Sequence, residues 1–151
     1  MRFAISAVKP DAVIHLGDYF DDGLTIAEEY SHIRFYQVPG NCDRFRCAPW
    51  QTEILSCSVC GVMMYMTHGH LHGVKSDTGR LLADARKSGA RIVLYGHTHI
   101  PDCRQETDGL WVLNPGTCGS YGGSVGLIAV SDNKISSCRI LRQEDLEALL
   151  P

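Results

Sequence analysis

Five of the seven histidines lie in two short stretches, His68-Gly69-His70-Leu71-His72 and His97-Thr98-His99. Alternate residues on an extended segment face the same way, so His97 and His99 can both reach a metal. Gly17-Asp18 and Gly40-Asn41-Cys42-Asp43 add a carboxylate and a neutral amide oxygen. Imidazoles combined with such oxygens suit a divalent transition metal. An M²⁺ ion held by Asp18, Asn41 and neutral His68 and His97 would carry a summed charge of about +1, which favours a phosphate anion. Metal binding would also lower the pKa of water toward neutrality and supply a nucleophile. Asp18 has two carboxylate oxygens and can bridge two ions. Singly, each residue has an ordinary explanation: an Asp after a strand caps a helix, and a His or Asn there serves a turn. Their occurrence together favours one site.

Each group follows an apolar, strand-like run. Ala12-Val13-Ile14-His15-Leu16 precedes Gly17-Asp18, residues 33–38 precede Gly40-Asn41, residues 62–67 precede His68, and Arg91-Ile92-Val93-Leu94-Tyr95 precedes Gly96-His97. In an open α/β sheet, ligands bind beyond the carboxyl ends of the strands, so these loops can converge. Residues 1–8 read as the end of a helix stopped near Pro10. Residues 24–32 read as a helix with Leu24 and Ala27 inward. Another runs from a cap at Ser76 or Asp77 to Ser88, burying Leu81, Leu82 and Ala85, with Gly89 as its stop. Residues 53–56 and 62–67 form a hairpin around Gly61, and residues 42–51 are irregular. Residues 104–107, 110–114, 125–130 and 134–141 read as strands separated by Asp108-Gly109, Asn114-Pro115-Gly116 and Asp132-Asn133, with a short helix at 144–150. This order predicts an α/β fold of two packed sheets with helices outside.

The 151 residues favour a single domain with a substantial core. The formal charge of -3 and the absence of a basic stripe argue against general nucleic-acid binding. No apolar run approaches the roughly 18 residues of a membrane span. Lys9-Pro10-Asp11 interrupts the N-terminal apolar segment too early for a signal peptide. The expectation is a cytoplasmic protein. Seven scattered cysteines, at 42, 47, 57, 60, 103, 118 and 138, do not form a disulfide framework and suit a reducing compartment. Cys57-Ser58-Val59-Cys60 has redox or zinc spacing, but it stands alone across a hairpin turn and reads as hairpin cysteines. Met63, Met64 and Met66 read as strand packing. Asn114 is equally a turn cap or a site residue.

Gly17-Asp18, Gly40-Asn41-Cys42-Asp43, Thr67-His68-Gly69-His70 and Gly96-His97-Thr98-His99, followed by Asn114-Pro115-Gly116, resemble the calcineurin-like metallophosphoesterase superfamily. The likeness is closest to its small bacterial and archaeal phosphodiesterase branch and covers nearly the whole chain. It implies a four-layer α/β/β/α sandwich that hydrolyses a phosphodiester or phosphomonoester by metal-activated water. It implies a dinuclear centre, with Mn²⁺ foremost and Ni²⁺, Fe²⁺ or Zn²⁺ as alternatives. Asp18 would bridge the ions, Asn41, His68 and His97 would bind one, and His99 the other. A small phosphate ester would be the substrate. Many members have His after the Asn; Cys42 stands there, as in the small phosphodiesterase branch. Leaving-group protonation would then fall to another group or to water, with His70 a candidate and Asn41 in the catalytic set.

The superfamily also begins with a strand ending in Asp-x-His, and residues 1–151 contain no such triplet. The expectation is an N-terminally truncated domain with its first strand missing, an incomplete second metal site and impaired activity. Its open sheet edge invites a homo-oligomer. The alternative is a non-catalytic protein-interaction scaffold on the same fold, as in the retromer subunit of the superfamily. A thiol or zinc protein built on the cysteines is the weakest reading.

Overall fold

The structure, a computed structural model, describes residues 1–43, 51–119 and 122–150. Most of the irregular stretch expected at 42–51 lies outside these residues. In chain order the elements are α1 (Arg2–Val8), β1 (Ala12–His15), α2 (Phe20–Glu29), β2 (Arg34–Gln37), β3 (Ile54–Val59), β4 (Val62–Thr67), α3 (Gly79–Lys87), β5 (Ile92–Leu94), β6 (Asp102–Gln105), β7 (Trp111–Asn114), β8 (Ser124–Ser131), β9 (Lys134–Arg142) and α4 (Gln143–Glu147).

Five strands form a mixed sheet in the order β3-β4-β5-β7-β6. β4, β5 and β7 are parallel, and β3 and β6 pair antiparallel at the edges. Strand alternation sorts the side chains between two buried faces. Tyr65, Val93 and Val112 face α3, which lays Leu81, Leu82 and Ala85 against them. Met64, Met66, Ile92, Leu94 and Leu113 face the other way, toward Ile14 and Tyr36 of β1 and β2 and Ile128 and Ile140 of β8 and β9. Each fully buried Leu, Ile or Met contributes roughly 1.5–3 kcal/mol by leaving water. Met63 points outward and is exposed, so only two of the three strand methionines pack as expected.

α2 packs on β2, α4 on β9, and α1 on α4. The architecture is therefore α3, five-stranded sheet, outer β layer, and outer helices: the four-layer α/β/β/α sandwich. The outer layer consists of two separate ladders. β1 and β2 are parallel, and β8 and β9 are antiparallel. Among the described residues neither ladder is hydrogen-bonded to a third strand, and the first element is a helix. No helix among these residues is long and apolar enough to cross a membrane.

Two local expectations need correction. α2 starts at Phe20, and its buried stripe is Phe20, Gly23 and Ile26. Leu24, expected inward, is 45% exposed. It lies one residue beyond Gly23, about 100° around the helix from that stripe. α3 starts at Gly79 with Thr78 at the cap position. Asp77 supports the start from one residue farther out, its Oδ1 accepting the Gly79 N–H at 2.8 Å.

Candidate metal centre

The loops after β1, β2, β4 and β5 meet at His68, which follows β4 directly and is 2% exposed. Its Nδ1 donates to the Leu16 carbonyl at 2.7 Å. A carbonyl only accepts, so Nδ1 carries the proton and, in the neutral ring, Nε2 presents a lone pair. Around that lone pair stand Asn41 Oδ1 at 3.0 Å, His97 Nδ1 at 3.1 Å and Asp18 Oδ1 at 3.6 Å. The two oxygens have no proton to give. The His68 Nε2 lone pair and the two oxygens repel one another at these distances, and a cation among them removes the repulsion. In a tetrahedral site with bonds of about 2.0–2.2 Å, neighbouring donors lie roughly 3.3–3.6 Å apart. The spacing of 3.0–3.6 Å from His68 Nε2 is close to that edge length. The donor chemistry fits a metal such as Mn²⁺ or Zn²⁺. The amide of Asn41 is integral to this fit. Among the described residues no three His, Cys, Asp or Glu side chains by themselves form a group that could hold an ion.

Burial holds the His68 imidazole below its ordinary pKa, against the opposing influence of the Leu16 hydrogen bond and the Asp18 charge. Burial also lowers His97, with His68, Lys75 and His70 acting in the same direction. Both rings are therefore neutral at neutral pH, the state that binds metal. Cys42 is not poised as a free thiolate. The Asp18 carboxylate holds its thiol pKa up, and the Cys42 backbone N–H also donates to Asp18 Oδ1 at 3.1 Å.

Backbone strain gathers at the same loops. Asp18, Tyr19, His97 and His99 have φ of 61°, 56°, 64° and 60°. Left-handed backbone costs a residue with a Cβ roughly 1–2 kcal/mol. Such strain tends to mark sites where function fixes the backbone. Gly40 allows the close approach, since a Cβ there would collide with the Asp18 carboxylate and backbone nitrogen.

Two braces complete the centre. Asp43, 1% exposed, accepts the Phe20 N–H at 2.9 Å and the Gly40 N–H at 2.8 Å, tying the loops after β1 and β2 together. Its place within Gly40-Asn41-Cys42-Asp43 was the only sequence signal. Asn114 caps a turn and also braces the His97 loop. Its Oδ1 accepts the Gly116 N–H at 2.9 Å, capping the turn. Its Nδ2 donates to Gly96 O at 3.0 Å and Thr98 Oγ1 at 2.9 Å, holding the His97 loop.

The sequence matches the calcineurin-like phosphoesterase superfamily domain over residues 2–134. The chain belongs to this superfamily. It is 30% identical over 138 residues to the phosphodiesterase MJ0936 of Methanocaldococcus jannaschii, covering 82% of this chain and 77% of that protein. A predicted phosphoesterase of Streptococcus pneumoniae superposes with a TM-score of 0.68 at 23% identity, over 94% of this chain and 90% of that one. Vps29 of Entamoeba histolytica, solved as a zinc complex, superposes with a TM-score of 0.61 at 19% identity, over 80% and 74%. At these identities the two structures establish the shared fold.

The remaining superfamily positions are less well gathered. His99 is exposed, and its side chain has no partner among the described residues. His70 stands beside the centre, its ring centroid 5.4 Å from that of His68 and 6.1 Å from that of His97. Its Nε2 is 3.9 Å from Glu53 Oε1. His72 turns away, with Nε2 3.2 Å from the Tyr65 hydroxyl and 3.6 Å from Asp84. Cys57 lies in β3 opposite Met64, and Cys60 sits exposed in the hairpin turn.

Proposed function

We propose that residues 1–151 act as one domain that binds a single divalent transition-metal ion and works by recognition, as a scaffold, more than by turnover. Asp18, Asn41, His68 and His97 hold the ion in this reading, with Mn²⁺ first and Zn²⁺, Ni²⁺ or Fe²⁺ as alternatives. The carrying observation is the one-sidedness of the donor set. Three donors face the His68 lone pair, whereas His99 stands alone and no Asp-x-His occurs in the chain. Among the described residues a second ion finds no gathered set of ligands. When bound, the single ion supplies positive charge that draws a phosphate or a carboxylate. His68 contributes a lone pair aimed by Leu16, and Asp18 contributes the negative charge.

The donor loops also carry apolar surface. Tyr19, Leu71 and Ile100 are 70%, 44% and 69% exposed, and each directly follows Asp18, His70 or His99. Exposed apolar side chains beside polar groups are the composition of a protein contact. The open edges of the two outer ladders favour self-association as well. We place the domain in the cytoplasm.

The test pairs calorimetric titration with Mn²⁺ and Zn²⁺ against hydrolysis of an aryl phosphodiester. The expected result is one ion per chain and little or no turnover. Two ions of similar affinity, with sustained turnover, would overturn the scaffold reading. The strain shared by Asp18, His97 and His99 favours a second reading, hydrolysis of a small phosphate ester. There Asn41 faces the phosphate, His70 holds the proton for the leaving group, and the missing ligands come from outside residues 1–151. Extending the chain with an Asp-x-His strand and finding orders of magnitude more activity would establish that reading.

A further inference from the structure

Cys103 lies on β6 and Cys138 on β9, strands of different sheets. Their sulfurs are 3.5 Å apart. Cys103 is in register with Leu113, and Cys138 with Ile128. All four side chains enter the apolar layer between the five-stranded sheet and the outer ladders. β6 is the edge strand of its sheet, and both cysteines are partly exposed. A small oxidant can therefore reach a pair that otherwise packs as core. Among the described residues, none of the other free cysteines, Cys42, Cys57, Cys60 and Cys118, makes a contact to a second cysteine of the kind between Cys103 and Cys138.

We infer that Cys103 and Cys138 form an oxidisable pair that hydrogen peroxide converts into an inter-sheet disulfide, locking β9 onto β6. A disulfide needs about 2.0 Å between sulfurs, so about 1.5 Å of combined movement closes the gap. The sulfur that first loses its proton attacks the peroxide, the O–O bond breaks, and one water leaves while a sulfenic acid forms. The second sulfur attacks that sulfenic sulfur. The S–S bond forms, the S–O bond breaks, and the oxygen departs as water with the second thiol's proton. Two thiols and one hydrogen peroxide give one disulfide and two waters, with two electrons passing from sulfur to peroxide.

The location gives the lock a consequence. Cys103 pairs with Leu113, and the adjacent register pair is Asp102 with Asn114. Asn114 holds Gly96 and Thr98 of the His97 loop. The lock thus lies one step from the brace of the metal centre, although it does not depend on a metal being bound. Burial, then the contact with Cys103, pushes the Cys138 thiol up to about 12. The pair therefore reacts with peroxide slowly, over hours rather than seconds, at neutral pH.

The test treats the full chain with a few equivalents of hydrogen peroxide, alkylates the remaining thiols and maps the peptides by mass. The expected product links the Cys103 and Cys138 peptides, and dithiothreitol reverses the link. The thermal midpoint of the oxidised protein rises on the order of 5 °C. Cys103→Ser and Cys138→Ser each abolish the link and the rise. Mapping the unaltered chain keeps the test decisive if either variant folds poorly. Recovery of both residues alkylated or as sulfinic acids, or linkage of Cys57 to Cys60 in their place, overturns the assignment. A link that leaves the thermal midpoint unchanged overturns the lock.

Discussion

His97 and His99 sit two residues apart on one loop, in nearly the same backbone conformation, with φ of 64° and 60°. They face different surroundings. His97 touches His68, whose other nitrogen is fixed by Leu16, and its loop is held from behind by Asn114. His99 projects into solvent without a partner among the described residues. Residue type does not separate them; bracing does. A donor whose orientation is already fixed loses less entropy on binding an ion. The largest effect should therefore fall on the braced side. His68→Ala should weaken Mn²⁺ or Zn²⁺ binding by about 100-fold or more, about 2.7 kcal/mol. His99→Ala should change it by less than about threefold. Competition titration against a chelating dye measures both. Equal losses would break the contrast and give the exposed side a ligand role of its own.

The braces allow sharper tests. Asp43→Ala leaves the buried N–H groups of Phe20 and Gly40 without their acceptor. It should destabilise the fold by about 2 kcal/mol, read from urea unfolding. Metal affinity should fall with it, because those two N–H groups flank the loops carrying Asp18 and Asn41. Retained affinity in the weakened fold would show that the donors hold their places without Asp43. Asn114→Ala removes the ties to Gly96 and Thr98. It should reduce metal affinity about tenfold, while His68 keeps its bond to Leu16. Unchanged affinity would mean that the His97 loop supports itself.

The convergence of Asp18, Asn41, His68 and His97 was legible because each ends an apolar run, and strand ends are where an α/β sheet places its site. Their braces were not. Leu16 acts through a backbone carbonyl, which leaves no trace in residue type and lies 52 positions from His68. Asp43 looks like any loop carboxylate until both of its N–H donors are seen. The separation of His99 from His97 was hidden for another reason. The alternation argument for this pair needs an extended chain, but both residues have left-handed backbone, with φ of 64° and 60°. Their side chains therefore part, and His99 ends exposed. The sandwich was legible from element order and from the superfamily resemblance. The stripe of α2 was misplaced because Leu24 seemed the natural anchor, whereas Phe20 and Ile26 bury a wider apolar face.

The smallest expected effect tests whether the His68 side is sequestered even without metal. His68 and His15 are both held below the ordinary histidine value of 6.5, chiefly by burial. As the pH falls through 6.5, the unfolded chain takes up protons that the folded chain refuses. The folded state then loses ground. The stability these residues contribute is fully present above 6.5 and is lost as the pH drops toward their folded values. Between about pH 7.5 and about pH 6.0 each group can cost at most about 0.8 kcal/mol. His72 and His97 act in the same direction. Urea midpoints measured with chelator present, so that proton–metal competition plays no part, should fall across that interval. His15→Leu should flatten the dependence without touching the donors. A flat profile in the parent protein would mean that His68 accepts protons as readily folded as unfolded. Its Nε2 would then be no reserved lone pair, and the contrast between the two sides of the centre would lose its physical basis.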